Sequence, residues 1–229
     1  MDALPLVSVV IPVYNRAAYV GDAIRSVLAQ AHRPLQIIVI DDGSTDDSAS
    51  VIGAFGEAVE YYYQPNSGIA RTRNRGVTLA KGAYLAFLDS DDLWSADKLA
   101  VQLGVLEARK ELDAVFGMVR QFISPELSVE EQARIRCPEG AMAGYVPSAM
   151  LIRREAFMRV GLFDTDYTVG EFIAWYLRAI EAGVKGELMQ QHIVLARRIH
   201  KTNIGIEATD AHKDYIRILK ASLDRRRGR

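Results

Sequence analysis

Between residues 6 and 88, apolar runs alternate with stretches of helical periodicity, and this rhythm restricts the fold more than any other feature of the chain. Residues 6–13 are a near-continuous, valine-rich apolar run, the pattern of a strand buried on both faces. Residues 18–31 then place Val20, Ile24, Val27 and Leu28 at helical spacing. A second buried strand covers 35–40 and stops at Asp41-Asp42-Gly43-Ser44-Thr45-Asp46. That turn doubles as a helix N-cap, and a helix follows to about residue 55. A third strand spans 59–63, a third helix 69–81 closed by Gly82, and a fourth strand 84–88. Strands alternating with helices imply right-handed crossovers and a parallel sheet with helices packed on it.

After Asp92 the rhythm loosens. The pattern predicts a helix over 96–110, a strand over 113–119 and an irregular polar stretch over 124–144 with a short helix at 129–136. A polar stretch of that length reads as a lid or binding loop. A strand over 146–152, helices over 154–160 and 171–182, a last strand over 191–197 and an amphipathic helix over 208–223 complete the chain. A length of 229 residues, 49% apolar, suits one large domain with appendages.

In an open parallel sheet, ligands bind beyond the carboxyl ends of the strands. Pro12, Tyr14, Asn15 and Arg16 follow the first strand, and Asp41 and Asp42 the second. Asn66, Ser67 and Gly68 follow the third, and Asp89-Ser90-Asp91-Asp92 the fourth. Asp46, Asp47 and Ser67 fit ordinary turn and cap roles. Asp89 with Asp91 fits less well, because carboxylates this close repel without a counter-ion. A few carboxylate oxygens completed by phosphate oxygens suit Mg2+ or Mn2+. Such a cation neutralises the charge on a departing diphosphate. Tyr14 offers a stacking face, and Asp42 an acceptor for a base or ribose. No P-loop and no G-x-G-x-x-G follows the first strand, which argues against an ordinary ATPase or dehydrogenase.

Four blocks in order resemble the family 2 glycosyltransferases. They are Val7-Ser8-Val9-Val10-Ile11-Pro12-Val13-Tyr14-Asn15, Ile40-Asp41-Asp42-Gly43-Ser44-Thr45-Asp46, the run from Asn66-Ser67-Gly68 to Arg73-Asn74-Arg75-Gly76, and Phe87-Leu88-Asp89-Ser90-Asp91-Asp92. The resemblance implies a GT-A fold: a Rossmann-like, mostly parallel sheet flanked by helices, with a smaller acceptor-side region and a C-terminal helix. It implies a nucleotide-diphosphate sugar donor, a UDP-sugar foremost, a Mn2+ or Mg2+ cofactor and inverting transfer in one displacement. Pro12, Tyr14, Asn15 and Asp42 resemble the nucleoside contacts, and Gly68, Arg73 and Asn74 the loop over base and sugar. Asp89-Ser90-Asp91 resembles the metal-binding D-x-D, with Asp91 the direct ligand and Asp89 nearer the ribose or a metal-bound water. On this division residues 1–95 bind donor, 96–206 carry acceptor and catalysis, and 207–229 form the helix and tail.

The second half resembles the family in shorter pieces. Gly161-Leu162-Phe163-Asp164 is similar to its G-x-F-D segment, and Gly170-Glu171 to the start of a G-E-D block that carries the general base. Inverting transfer needs a carboxylate to accept the proton of the acceptor hydroxyl. Here Phe172 follows Glu171; alternatively the base belongs one helical step on, at position 174 of the same helix face, where this chain has Ala174. Two readings of Glu171 stay open: the base itself, or a first-turn carboxylate favoured by the helix dipole. Arg198-Ile199-His200-Lys201-Thr202-Asn203 resembles a C-terminal R-x-H-x-x-N segment in which His200 completes the metal or touches diphosphate, with Arg198 or Lys201 holding phosphate charge. The alternatives are a nucleotide-sugar-binding pseudoenzyme without its base and, less well matched, a sugar nucleotidyltransferase, which wants a glycine-rich basic loop where Pro12-Val13-Tyr14-Asn15 stands.

A net charge of -1 gives no electrostatic case for nucleic acid. Arg225-Arg226-Arg227-Gly228-Arg229 reads as a solvated terminus or as a weak contact with an anionic membrane or acidic partner. The single cysteine, Cys137, permits no intramolecular disulfide and fits a reducing compartment. No signal peptide and no apolar run near the ~18 residues of a spanning helix is present, so a soluble cytoplasmic protein, peripheral at most at the inner membrane face, is expected. The acceptor expected is a glycan, a lipid-linked sugar or a peptide.

Overall fold

The computed structural model describes residues 4–135, 137–201 and 211–227. Thr202 and Asn203 of the R-x-H-x-x-N segment, the 206/207 boundary, the side chain of His212, and Gly228-Arg229 of the tail lie outside the described residues.

The valine-rich run forms β1 (Val7–Val13), buried at every position. It pairs in parallel with β2 (Leu35–Asp41) on one side and β4 (Tyr84–Phe87) on the other. β3 (Glu60–Tyr63) adds in parallel outside β2. Helices α1 (Val20–Leu28), α2 (Ser48–Gly53) and α3 (Ile69–Leu79) are the crossovers. Because successive side chains of a strand point to opposite faces, the sheet has two cores. Val7, Val9 and Ile11 face α1 and α4 (Lys98–Ala108), while Val10, Ile38 and Ile40 face α3 and the second-half helices.

The expectation of a mostly parallel sheet describes the half from β3 to β4. Beyond β4 the sheet is mixed, in the order β3-β2-β1-β4-β8-β6-β9-β5 with β7 paired to β6. β5 (Leu93–Trp94) and β7 (Met142–Ala143) are two residues each, too short for a periodic signal. β6 (Ala114–Ile123) and β9 (Gly186–Ile199) run beyond their expected ends because they pair with each other along their length. β8 (Met150–Arg153) starts late because Pro147, which has no N–H for a ladder, opens a 3-10 turn over Pro147–Ala149.

Residues 124–144 are more ordered than a lid. α5 (Val129–Arg134) begins at a capping box in which Ser128 and Glu131 bond each other's backbone N–H, and β7 lies on β6. α6 (Arg154–Val160) and α7 (Glu171–Glu181) stand where the periodicity puts them, and α8 (Ala211–Arg227) packs on α7. Trp175 of α7 is core: it stacks on Phe157 at 4.7 Å and donates to the carbonyl of Gly161. Among the described residues, no helix is long and apolar enough to cross a membrane.

Candidate active site

A cavity of about 590 Å³ opens at the carboxyl ends of β1, β2 and β4. Pro12, Tyr14, Asn15 and Arg16 line it from β1, Asp42 from β2, Gly68 and Arg73 from the start of α3, and Asp89, Ser90 and Asp91 from β4. A second cavity of about 520 Å³ lies at the opposite edge, around Tyr84, Glu107 and Arg153. Those three are already bonded to one another or to backbone carbonyls, and the catalytic motifs are elsewhere.

The loops at the carboxyl ends of the parallel strands are stitched together by their own polar atoms. Asn15, in the left-handed region at φ 50°, accepts from Thr45 N–H at 2.8 Å, and its own N–H donates to Ser44 Oγ at 3.0 Å. Asp42 is buried and accepts from the N–H groups of Ser67 and Gly68, each at 2.9 Å. Gln64 and the Ser67 hydroxyl also bond its Oδ1, so Oδ2, bonded by Gly68 alone, retains capacity for another donor. Gly68 is positioned by this grip, and its φ of 90° is one that only glycine adopts cheaply. The Tyr14 ring is 48% exposed and stands available as a stacking face.

The repulsion within Asp89-Ser90-Asp91 is met by cations of the protein itself. Arg73, buried beneath the loop, donates from Nη2 to Asp89 at 2.6 Å. Asp91 Oδ2 accepts from Arg16 Nε at 3.1 Å and lies 3.0 Å from His200 Nε2. Burial opposes ionisation of Asp91, but the His200 bond and the Arg16 charge prevail and hold its carboxyl below the usual range. Asp92 behaves oppositely: burial, then the charges of Asp91 and Asp89, push it well above that range, against one bond from Arg198 N–H. Arg73 and Arg16 thus supply, within the protein, part of the counter-charge that the sequence calls for.

The same Arg73 reaches the other half of the molecule. Its Nη1 donates to Glu171 in a close ion pair, while Nε is buried without a partner. Burial works against the Arg73 charge, but Asp89 and Glu171 outweigh it and hold the guanidinium still more firmly protonated. Glu171 opens α7 behind Gly170 and is buried; it does not line the cavity, and Arg73 stands between them.

Four further residues named from the sequence do not line the cavity. Asn74 does not line the cavity; its amide bonds the Phe163 backbone both ways, at 2.9 Å each, and so ties α3 to the G-x-F-D segment. His200 is buried behind Asp91 against the Tyr19 ring, at 4.5 Å between centroids. Arg198 is buried, bonding the Asp91 carbonyl, Ser124 and Asp22, and Lys201 pairs with Glu131, so neither offers its charge to the cavity. Arg197 does line it, as do Arg16, Thr168 and Thr72. Strand alternation could have found Arg197, since it points opposite to the buried Arg198. Thr168 leaves no sequence signal, because Asp214 of α8 places it by accepting its N–H at 2.8 Å.

Among the described residues no three His, Cys, Asp or Glu side chains converge as a self-sufficient cage. Asp91 and His200 are chemically apt ligands for Mn2+, and Asp91 Oδ1 takes no hydrogen bond from a described residue. The residues fit a cation that draws most of its ligands from a bound diphosphate.

A parallel half, a mixed half beyond it and acidic loops at the carboxyl edge make this a GT-A fold. The glycosyl transferase family 2 profile matches residues 8–161, and the chain belongs to that family. An uncharacterized glycosyltransferase of Rickettsia typhi is 38% identical over 226 residues, covering 92% of this chain and 69% of the relative. The teichuronic acid biosynthesis glycosyltransferase TuaG of Bacillus subtilis, itself a putative assignment, is 42% identical over 109 residues, 46% of this chain and 43% of TuaG. Against relatives from Rickettsia conorii and Rickettsia felis the match spans only 17% of their length. Among solved structures, S. aureus TarS residues 1–349 in complex with UDP-GlcNAc superposes with a TM-score of 0.76 at 16% identity, over 94% of this chain and 65% of TarS. The Pyrobaculum calidifontis mannosyltransferase PcManGT, in complex with GDP-Man and Mn2+, gives 0.73 at 18% identity, over 96% of this chain and 64% of that one.

Proposed function

We propose that this glycosyltransferase moves a hexose from a UDP-sugar to an acceptor hydroxyl, with inversion, assisted by Mn2+ or Mg2+. The observation that carries the reading is the cavity itself, which gathers Tyr14, Asp42, Asp89, Asp91 and Arg73 at one sheet edge. The base stacks on Tyr14, and Asp42 Oδ2 takes a donor from base or ribose. Arg16 and Arg197 face the diphosphate. Asp91, with His200 and Asp89, would hold the cation, and Arg16 would yield its place on Asp91 Oδ2. When bound, the metal supplies neutralising charge for the departing nucleoside diphosphate. Relatives solved with UDP-GlcNAc and with GDP-Man and Mn2+ support this division of labour.

Glu171 is the general base in this reading. It accepts the proton of the acceptor hydroxyl as the oxygen attacks the anomeric carbon and the diphosphate leaves. Arg73 occupies the Glu171 carboxylate, so Glu171 must separate from Arg73 to receive the proton when donor fills the cleft. Residues 1–95 serve the donor, 96–206 the acceptor, and 207–229 support the acceptor side. A glycan, a lipid-linked sugar or a peptide supplies the hydroxyl.

A second reading has one specific observation in its favour. Glu171 is locked to Arg73, and Phe172 and Ala174, where the G-E-D pattern leads one to seek carboxylates, are both in the core. The protein would then bind nucleotide sugar without turning it over. Release of UDP or GDP from a panel of nucleotide sugars, with Mn2+ and with EDTA, separates the two. EDTA-sensitive UDP release supports transfer; calorimetric UDP and Mn2+ binding with no release from any donor supports the second reading.

A further inference from the structure

Helix α8 has two working faces. Its inner face buries Asp214, Ile218 and Ser222. Asp214 accepts from the N–H groups of Thr168 and Val169, and Ser222 and Arg225 both bond Glu181 of α7, each at 2.7 Å. The outer face instead presents Ile216, Leu219 and Leu223, which are 67%, 57% and 52% exposed. At 3.6 residues per turn these three stack into one stripe opposite the buried face. Lys220 and Arg227 border the stripe on one side and Arg226 on the other, all exposed. Arg225 is held by Glu181, but Arg226 comes no nearer to it than 3.9 Å and keeps 55% of its side chain exposed.

We propose that this face docks on an anionic lipid bilayer, with α8 lying in the interfacial plane. An apolar stripe bordered by cations is the pattern of a helix that sinks its aliphatic side chains to the acyl boundary and pairs its cations with headgroups. Charge complementarity selects this occupant. A second copy meeting the first through the same face about a two-fold axis would bring the borders of Lys220, Arg226 and Arg227 against each other. An anionic surface turns the same border into an attraction.

Docking also has a consequence at the cleft. The inner face of α8 holds Thr168, which lines the cavity, and contacts Gly170, where a Cβ would lie 2.9 Å from Ile218 and 3.0 Å from Tyr215. A bilayer-bound α8 therefore carries the acceptor-side rim to the lipid surface and selects a lipid-linked acceptor among those proposed. This last step rests on the transferase reading; the docking rests on α8 alone.

The test is co-sedimentation of the 229-residue protein with vesicles of phosphatidylcholine, with and without phosphatidylglycerol. Binding is expected with the anionic lipid, weak without it and reduced by salt. Ile216→Gln/Leu219→Gln/Leu223→Gln should lower the partition coefficient by roughly tenfold or more. Lys220→Gln/Arg226→Gln/Arg227→Gln should lower it by roughly tenfold to a hundredfold on anionic vesicles alone. Both variants should keep the far-ultraviolet circular dichroism of the parent. Failure of the parent to bind anionic vesicles, or undiminished binding by both folded variants, overturns the proposal. So does a dimer, seen by light scattering, that the glutamine stripe dissolves. UDP-sugar hydrolysis measured without vesicles reports on the transferase reading separately: binding to vesicles without hydrolysis keeps the docking and removes the enzyme.

Discussion

Asp89 and Glu171 hang on one guanidinium, yet the walls they belong to are built in different ways. The wall that we propose for the donor is made of short loops at adjacent parallel strands, each bonded to the next through Asn15, Asp42 and their backbone partners. From the second half it takes the Ser148 hydroxyl, which accepts the Asp89 N–H at 3.0 Å, and the side chains of Arg198 and His200 behind Asp91. The acceptor wall has no such stitching. Glu171 follows a segment whose N–H groups at Thr168 and Val169 are held by Asp214, 46 and 45 residues further on, in a helix packed from outside. A wall fixed by local loops is set once the sheet forms. A wall fixed by a docked helix can shift with that helix, and Arg73 is the bolt between the two.

Removing that bolt should produce the largest effect. Arg73→Ala leaves Asp89 and Glu171 without their shared cation in a mostly buried site. Breaking a buried pair costs about 3–5 kcal/mol, and the partly exposed Asp89 puts this case near the lower end. Urea denaturation measures it, and donor turnover should fall at least about a hundredfold through the lost placement of both walls. Arg73→Lys should recover part of the stability but little turnover, because a lysine cannot fork to two carboxylates. If Arg73→Ala folds as firmly as the parent, the walls are independent and the comparison fails.

Ser148→Ala tests the donor wall alone. It strips the acceptor from a buried N–H, at a cost of about 1–3 kcal/mol. Backbone at Asp89 should loosen, raising KM for the donor several-fold more than it lowers kcat, and Ser148→Thr should restore KM. Equal losses in both parameters would assign Ser148 to general stability.

The difference between the walls also explains what could be read from sequence. Pro12, Tyr14, Asp42, Gly68, Asp89 and Asp91 reach the cavity because the ends of parallel strands converge by topology, which apolar runs reveal. Asn74 escaped because its partner, the Phe163 backbone, is 89 residues away, and no local pattern records that bond. Thr168 escaped for the same reason, being placed by Asp214 across 46 residues. The arginines facing Asp89 and Asp91 were invisible too, because Arg73 and Arg16 meet them across long separations that a run of acidic residues does not record.

Ala174→Asp sharpens the acceptor side. Ala174 is 6% exposed on a helix whose neighbours Phe172 and Trp175 are both core. A carboxylate there should destabilise by about 2 kcal/mol or more for want of a partner, with no gain in turnover if Glu171 is the base. A rise in UDP release with added acceptor would instead move the base to 174 and make the parent chain deficient on that wall.

The smallest effect concerns the helix that carries the acceptor wall. Glu181 fastens α8 through Arg225, whose hydrogen bond, more than the opposing burial, lowers the Glu181 carboxyl from 4.5 to about 2. A carboxylate depressed in the folded state adds stability that is complete above its unfolded value and is lost as pH falls towards the folded one. The α7–α8 contact should hold at neutral pH and weaken between about 4.5 and about 2. Hydrogen exchange of α8 amides should quicken, relative to β1 amides, across that window once the intrinsic pH dependence is removed. Arg225→Gln should bring the loss to higher pH, closer to 4.5. If α8 and β1 lose protection together, the helix is as firmly part of the fold as the donor wall, and the acceptor wall has no freedom of its own.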